Sequence, residues 1–260
     1  FQIPVISDIK KQKRLDLSDK NSYMFKSWSA QNSPILPIFQ IEKNKNNTFK
    51  LWVHTNSIAE RLDLTSKKSL QIFFDRFQSF PLLDNWQNYL SDEISIAAKF
   101  NKSKINDAIS LCIDINSENE IINWSFHLTK VKCSLVVENQ HIDALLTRKN
   151  KARITSRILK PIKDYVDDLE KIIEISKEFR KKQLLNGKIE ISKTNNNIES
   201  LKELLIHNPA DFSKEYFEPL NNNDIQTYIS PILYEANSIW YHHSNNYGLN
   251  NASYISQKLD

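Results

Sequence analysis

Only two of the 260 residues are glycine, Gly187 and Gly248. Glycine is the default wherever a chain must take a positive φ or run close to a phosphate. Neither glycine has a second one nearby, which excludes a Walker loop and a dinucleotide-binding fingerprint. Tight turns must therefore use another residue. Asparagine tolerates the left-handed region better than other non-glycine residues, and the chain holds 28 of them. The turns of this fold are expected at asparagine.

A hydrophobic fraction of 40% with 25% charged residues is enough for a packed core. No uninterrupted apolar run approaches the length of a membrane helix, and none near the N-terminus resembles a signal peptide. A cytoplasmic protein with no membrane contact is expected. The net charge of +4 is compatible with a nucleic-acid partner. The chain starts at Phe1 and ends at Asp260 without a closing element, so it reads as a piece of a longer protein. Cys112 and Cys133 make no zinc motif and are expected as buried thiols of a reducing compartment.

Hydropathy patterning divides the chain further. Phe1 to Asp19 reads as a polar lead-in with a basic knot at Lys10, Lys11, Lys13 and Arg14. Ile35–Glu42 and Thr48–His54 read as the strands of a hairpin. Leu64–Phe80 reads as a Phe-rich helical or irregular segment, and Pro81–Asp92 as a loop. Ile109, Leu111, Ile113 and Ile115 alternate with polar residues, as do Ile122, Trp124, Phe126 and Leu128 across a turn at Ser117–Glu120. That period of two predicts a second hairpin with one buried face. From Pro161 to Leu185, Ile162, Val166, Leu169, Ile173, Ser176 and Phe179 form one helical stripe, closed by Asn186-Gly187. A short strand is expected at Ile189–Ile191, then a polar linker over Asn195–Asn223 with a short helix near Ile198–His207. Ser230-Pro231 reads as the start of a last helix, running through Ala236 and Trp240 towards Asn246. Hairpins and segregated helices together predict an α+β fold.

Several segments carry a resemblance in combination. Lys50-Leu51-Trp52-Val53-His54, the hairpin from Ala108 to Phe126, Ile142-Asp143-Ala144-Leu145-Leu146, the run from Phe179 to Ile191, and Ala236-Asn237 on the last helix follow one another in order. This order resembles the catalytic RNB domain of the RNase II/RNase R exoribonucleases. The resemblance implies an RNB-like mixed sheet with packed helices over 16–260, preceded by a lead-in at 1–15, with the C-terminal part of the domain absent. It also implies a lineage that degrades single-stranded RNA from its 3′ end, with a cluster of aspartates holding Mg²⁺.

Mg²⁺ is a hard cation and needs carboxylate oxygens. Lys26 to Pro37, where the resemblance places that cluster, holds no acid, and no Asp occurs between Asp19 and Asp63. The family's other key positions fall on Ser57, on or near Asn139, and on Ser230 and Pro231. Asp8, Asp16 and Asp19 read as solvated turn acids, and Asp16-Leu17-Ser18 resembles the segment preceding the cluster. No catalytic or metal-binding residue is therefore assigned, and no cofactor is expected unless an active Mg²⁺ site survives.

The RNA-binding candidates are Phe80, Arg148, Lys149, Lys151, Arg153 and Arg157. Phe80 matches the family's base-stacking Tyr; it either stacks on a base or packs with Phe73, Phe74 and Phe77. Arg148 through Arg157 belong to a run of seven cations with no acid between Thr147 and Lys163, which suits phosphate or an ordinary solvated loop. Lys177, Arg180, Lys181 and Lys182 add to it if the long helix turns that face outward. Asp164, Asp167, Asp168 and Glu170 suit a helix N-terminus. His54 reads as a structural residue at a strand end, and His242-His243 point to different faces. The sequence thus predicts an RNA-binding RNB relative that is catalytically degenerate. The alternatives are an active Mg²⁺-dependent exoribonuclease with a displaced site using Asp16, Asp19 or Asp63, and a protein-interaction module that touches no RNA.

Overall fold

The computed structural model describes residues 13–26, 37–44, 47–57, 80–82, 85–87, 99–148, 157–186 and 225–246. The expected elements at 64–79, 189–191 and 198–207 lie outside them. The chain divides into two compact units, Phe1–Val137 and Glu138–Asp260.

The first unit is built on one mixed sheet. Its strands are β1 (Leu15–Asp16), β2 (Tyr23–Phe25), β3 (Ile38–Lys43), β4 (Phe49–Asn56), β7 (Asn106–Ile115), β8 (Ile121–Val131) and β9 (Leu135–Val137). The spatial order is β1-β8-β7-β4-β3-β2-β9. Both predicted hairpins are present within a few residues of their expected ends, β3 with β4 and β7 with β8. The turns fall where glycine is missing: among the described residues the only positive φ angles outside glycine are at Asn47 (54°) and Asn119 (58°). In the second turn, the Asn116 side-chain oxygen accepts from the backbone N–H groups of Glu118 (2.9 Å) and Glu120 (2.8 Å), so a second asparagine braces the reversal.

β4 lies between β3 and β7 and pairs with both along most of its length. One face is apolar: Leu51 opposes Ile41 and Ile113, Val53 opposes Phe39 and Leu111, and all six are buried. Phe25 and Phe39 pack edge to face with centroids 5.5 Å apart. The expectation that only one face of β7 is buried is corrected, since Ala108, Ser110 and Cys112 are buried on the other face too. That face holds its own core of Leu17, Met24, Ile38, Trp52, Phe100 and Cys112 with their neighbours. Cys112 and Cys133 are free and buried, as expected, and burial pushes the Cys112 thiol up to about 12.

Three further readings are corrected. The polar lead-in ends at Arg14 instead of Asp19: β1 pairs in parallel with β8, Leu17 is buried, and Arg14 reaches Asp107 at 3.5 Å and the Ala108 carbonyl at 3.3 Å. Pro81 lies in β5 (Phe80–Leu82), which pairs with β6 (Asn85–Gln87) where a loop was expected. A two-stranded ribbon tolerates Pro because each strand is an edge. β2 and β9 went unpredicted because three residues show no period.

The second unit holds α1 (Asn139–Leu146), a 3-10 turn (Lys160–Tyr165), α2 (Val166–Leu185) and α3 (Ile225–Asn246). The predicted stripe of α2 is buried throughout, and Asp167 and Asp168 occupy its first turn, where the helix dipole favours them. The helix itself starts later than Pro161, because Ile162 departs from helical angles. Asn186 at its end has φ −85° and is not left-handed.

α3 starts before Ser230-Pro231, so these residues are not its cap. Buried Ile225, Tyr228 and Ile229 carry the earlier turns against the loss of one N–H at Pro231. Two buried polar side chains of α2 hold it there. Ser176 donates to the Tyr228 carbonyl (2.6 Å), and Gln183 donates to the Pro231 carbonyl (2.9 Å) and the Glu235 carboxylate (2.6 Å). These contacts advance in the same direction along both helices, which therefore pack parallel. No helix among the described residues is long and apolar enough to cross a membrane.

Replacing Gln183 by Ala should destabilise this unit by roughly 1–3 kcal/mol, since it removes the hydrogen bonds to the Pro231 carbonyl and to the Glu235 carboxylate. Urea denaturation followed by helical circular dichroism reads this directly, and an unchanged midpoint would contradict the role assigned to Gln183.

Candidate functional site

The C-terminal end of β4 and the residue after it hold two of the positions that the family resemblance singles out, His54 and Ser57. His54 is fully buried, and its Nδ1 lies 2.6 Å from Ser110 Oγ, which lies 2.5 Å from Thr129 Oγ1. These three side chains form a polar chain across β4, β7 and β8. The register explains it: His54 opposes Ser110 directly, and Thr129 is the diagonal neighbour on the same face. Trp52, two residues earlier, stacks on the His54 ring at 6.0 Å. His54 is thus a structural residue, as the sequence implied, although it donates or accepts through Ser110 within the sheet.

Burial lowers the His54 pKa to about 3. At neutral pH the ring is uncharged and far from the value that a general base needs. Its Nε2, both amide atoms of Asn56 and the hydroxyl of Ser57 are buried without a hydrogen-bond partner among the described residues. Among the described residues, the strand end therefore presents imidazole, amide and hydroxyl groups and no carboxylate. A hard divalent cation does not fit this donor set. Among the described residues no three His, Cys, Asp or Glu side chains come together in a way that could hold a metal.

The remaining positions are equally plain in their chemistry. Asp16 accepts from the Ser18 N–H (3.0 Å) and hydroxyl (2.7 Å), and these hydrogen bonds hold its carboxyl below the ordinary range. That is a local turn acid, as expected; Asp19 is exposed and Asp63 lies outside the described residues. Asn139 is the first residue of α1, and its side-chain oxygen accepts from the Ile225 N–H at 3.2 Å, so it caps the start of α3. Ser230 is exposed on α3, and Pro231 is buried against Gln183.

Of the six RNA candidates, Phe80, Arg148 and Arg157 fall among the described residues. Arg148 pairs with Glu170 at 3.0 Å, an exposed bridge that partly neutralises it. Arg157 is exposed ahead of the 3-10 turn, while Lys149, Lys151 and Arg153 lie outside the described residues. Phe80 begins β5 opposite Gln87, with its side chain outside the description. The outer face of α2 does turn Lys177, Lys181 and Lys182 to solvent. Sequence reasoning did not single out Ser110 and Thr129, because a hydroxyl on the polar phase of a strand looks solvent-facing until its neighbours are known.

Among the described residues, a seven-stranded mixed sheet in one unit and three helices in the other make an α+β architecture. The family model described as "RNB domain" matches residues 14–258, and the chain belongs to that family. No curated protein matches. Among solved structures, Mycoplasma genitalium RNase R without ligand is similar at 13% identity and TM-score 0.63, over 91% of this chain and 34% of that one. An active-site mutant of the Dss1 exoribonuclease from Candida glabrata is similar at 14% identity and TM-score 0.65, over 91% and 31%. Yeast Ssd1, described as a pseudonuclease, is similar at 14% identity and TM-score 0.52, over 69% and 20%. The chain thus spans about a third or less of the length of these proteins.

The depressed His54 pKa has a consequence for stability. The unfolded chain binds a proton near pH 6.5 and the folded one near pH 3. Stability is therefore full above about pH 6.5 and falls as pH drops towards 3. His54→Gln should flatten that acid-side slope. Imidazole NMR shifts of His54 should stay constant from pH 8 to 5, and a titration midpoint near 6.5 would contradict the buried neutral ring. Ser110→Ala should cost roughly 1–3 kcal/mol, because it strands His54 Nδ1 and the Thr129 hydroxyl, as a fall in urea midpoint.

Proposed function

We propose that this chain is an RNB domain that binds single-stranded RNA and does not hydrolyse it. The observation that carries the reading is the chemistry at the end of β4. His54, Asn56 and Ser57 present neutral groups, and Lys26 to Pro37 supplies no carboxylate. Phosphodiester hydrolysis by a metal needs oxygens that fix the ion and neutralise charge developing on phosphorus. Among the described residues, nothing at this strand end does so.

RNA binding is supported by charge and by kinship. Cations at Lys149, Lys151, Arg153 and Arg157, with Arg148 shared by Glu170, offer attraction for phosphates, and Phe80 offers a ring for a base. Mycoplasma genitalium RNase R in complex with ribose-methylated single-stranded RNA is similar in fold at TM-score 0.64 and 12% identity. Ssd1, described as a pseudonuclease, favours the absence of catalysis by analogy.

The test uses the full 260-residue chain and a labelled oligoadenylate. Binding should be measurable at low salt and weaken steeply between about 50 and about 200 mM. No nucleotides should be released with Mg²⁺ or Mn²⁺. Metal-dependent release from the 3′ end would replace this reading by an active enzyme with a displaced site. Absence of any salt-sensitive binding would favour a protein-interaction module instead.

A further inference from the structure

We infer that the C-terminal half of α2 is a surface that holds the RNA strand, with Lys177, Arg180 and Lys181 on its phosphates and Leu184 and Leu185 against its bases. The inference rests on the RNA-binding reading above and adds where the contact is made. Lys177, Lys181, Leu184 and Leu185 recur at i, i+4, i+7 and i+8, and Arg180 lies between, so all five share one side of the helix. They line an open depression of about 500 Å³. Ser176 and Gln183 are committed to α3 and Phe179 is buried, whereas Lys177, Lys181, Leu184 and Leu185 are exposed.

Two features separate this surface from an ordinary solvated helix face. Cations near a helix C-terminus favour the dipole, which accounts for Lys181 and Lys182 but not for leucines. Leu184 is 44% exposed and Leu185 is 78% exposed, adjacent to the cations. Exposed apolar surface bordered by charge marks a binding site more often than chance. Secondly, the last two turns of α2 hold no acid, and of the acids before them Glu170 is engaged with Arg148 and Glu174 with Lys171 at 2.9 Å, which leaves Glu178 as the one acid beside the cations on this half of the helix.

A ligand for this surface must carry repeated negative charge and apolar faces together. Single-stranded RNA does, because its phosphates alternate with unpaired bases. Four residues of helix advance about 6 Å, comparable to the separation of successive phosphates on an extended strand. The Arg180 guanidinium can also lie flat on a base, which Lys cannot do. Lys177 leans over the Tyr228 ring with its Nζ 5.8 Å from the centroid, which keeps the first cation near the helix.

The experiment compares three proteins for binding to labelled oligoadenylate across salt: the unaltered chain, Lys177→Ala/Arg180→Ala/Lys181→Ala, and Leu184→Ser/Leu185→Ser. Helical circular dichroism checks each fold. The triple variant should lose at least about tenfold in affinity and lower the log–log salt slope by about 2, at about 0.7 per phosphate contact for a single strand. The leucine variant should lose severalfold with its slope unchanged. Thiouridine photocrosslinking on the unaltered chain should give adducts within 177–185. If the unaltered chain binds and both variants match it, or if adducts fall only elsewhere, the surface is overturned while RNA binding stands. If the triple variant loses binding to anionic phosphatidylserine vesicles and keeps RNA affinity, the surface belongs to a membrane contact and the inference is overturned. If the unaltered chain binds no RNA, the reading and the inference fall together.

Discussion

The pairing of β4 with a strand on each side constrains everything else in the sheet unit. Once β4 is held between β3 and β7, one face receives Leu51 and Val53 against Phe39, Ile41, Leu111 and Ile113. The other face must then accommodate Trp52 and His54 away from water. A buried histidine is tolerable only if its polar atoms are met or its charge is given up. Here the charge is given up: the ring stays neutral, Ser110 meets Nδ1, and Nε2 is left without a partner among the described residues. The register also needs two reversals without glycine, and Asn47 and Asn119 supply them in left-handed geometry.

The helical unit follows a similar rule with different partners. A proline inside α3 weakens its backbone ladder, and the parallel neighbour α2 compensates with Ser176 and Gln183 on α3 oxygens. Committing those side chains inward leaves the cationic side of α2 outward. At the end of β4, the described side chains of His54, Asn56 and Ser57 are neutral.

The parts of the fold read in advance were those specified locally. The β3–β4 and β7–β8 hairpins show period two across asparagine turns, and the buried stripe of α2 shows helical period, so each was visible within a short window. β1, β2 and β9 were not, because two or three residues carry no period and pair with strands distant in sequence. The start of α3 was misplaced because Ser-Pro is a strong local cap signal. Burial of Ile225, Tyr228 and Ile229 outweighs that signal only once α2 is beside them. Of the candidate site, the place of His54 at the end of its strand was legible. The Ser110–Thr129 chain was not, since hydroxyls on the polar phase of β7 and β8 look like solvent-facing residues.

By itself the chain of amino acids settled which chemistry is excluded and where its backbone must turn. Two isolated glycines leave no Gly-rich phosphate cradle, Lys26 to Pro37 holds no acid, and turn preference is a property of one or two residues. Tertiary structure alone decided which polar groups are buried and which charges are already spoken for. His54 becomes neutral because three strands enclose it, and Arg148 meets Glu170 across 22 positions. Burial and ion pairing are sums over neighbours brought together by folding, and no local window of sequence contains those neighbours.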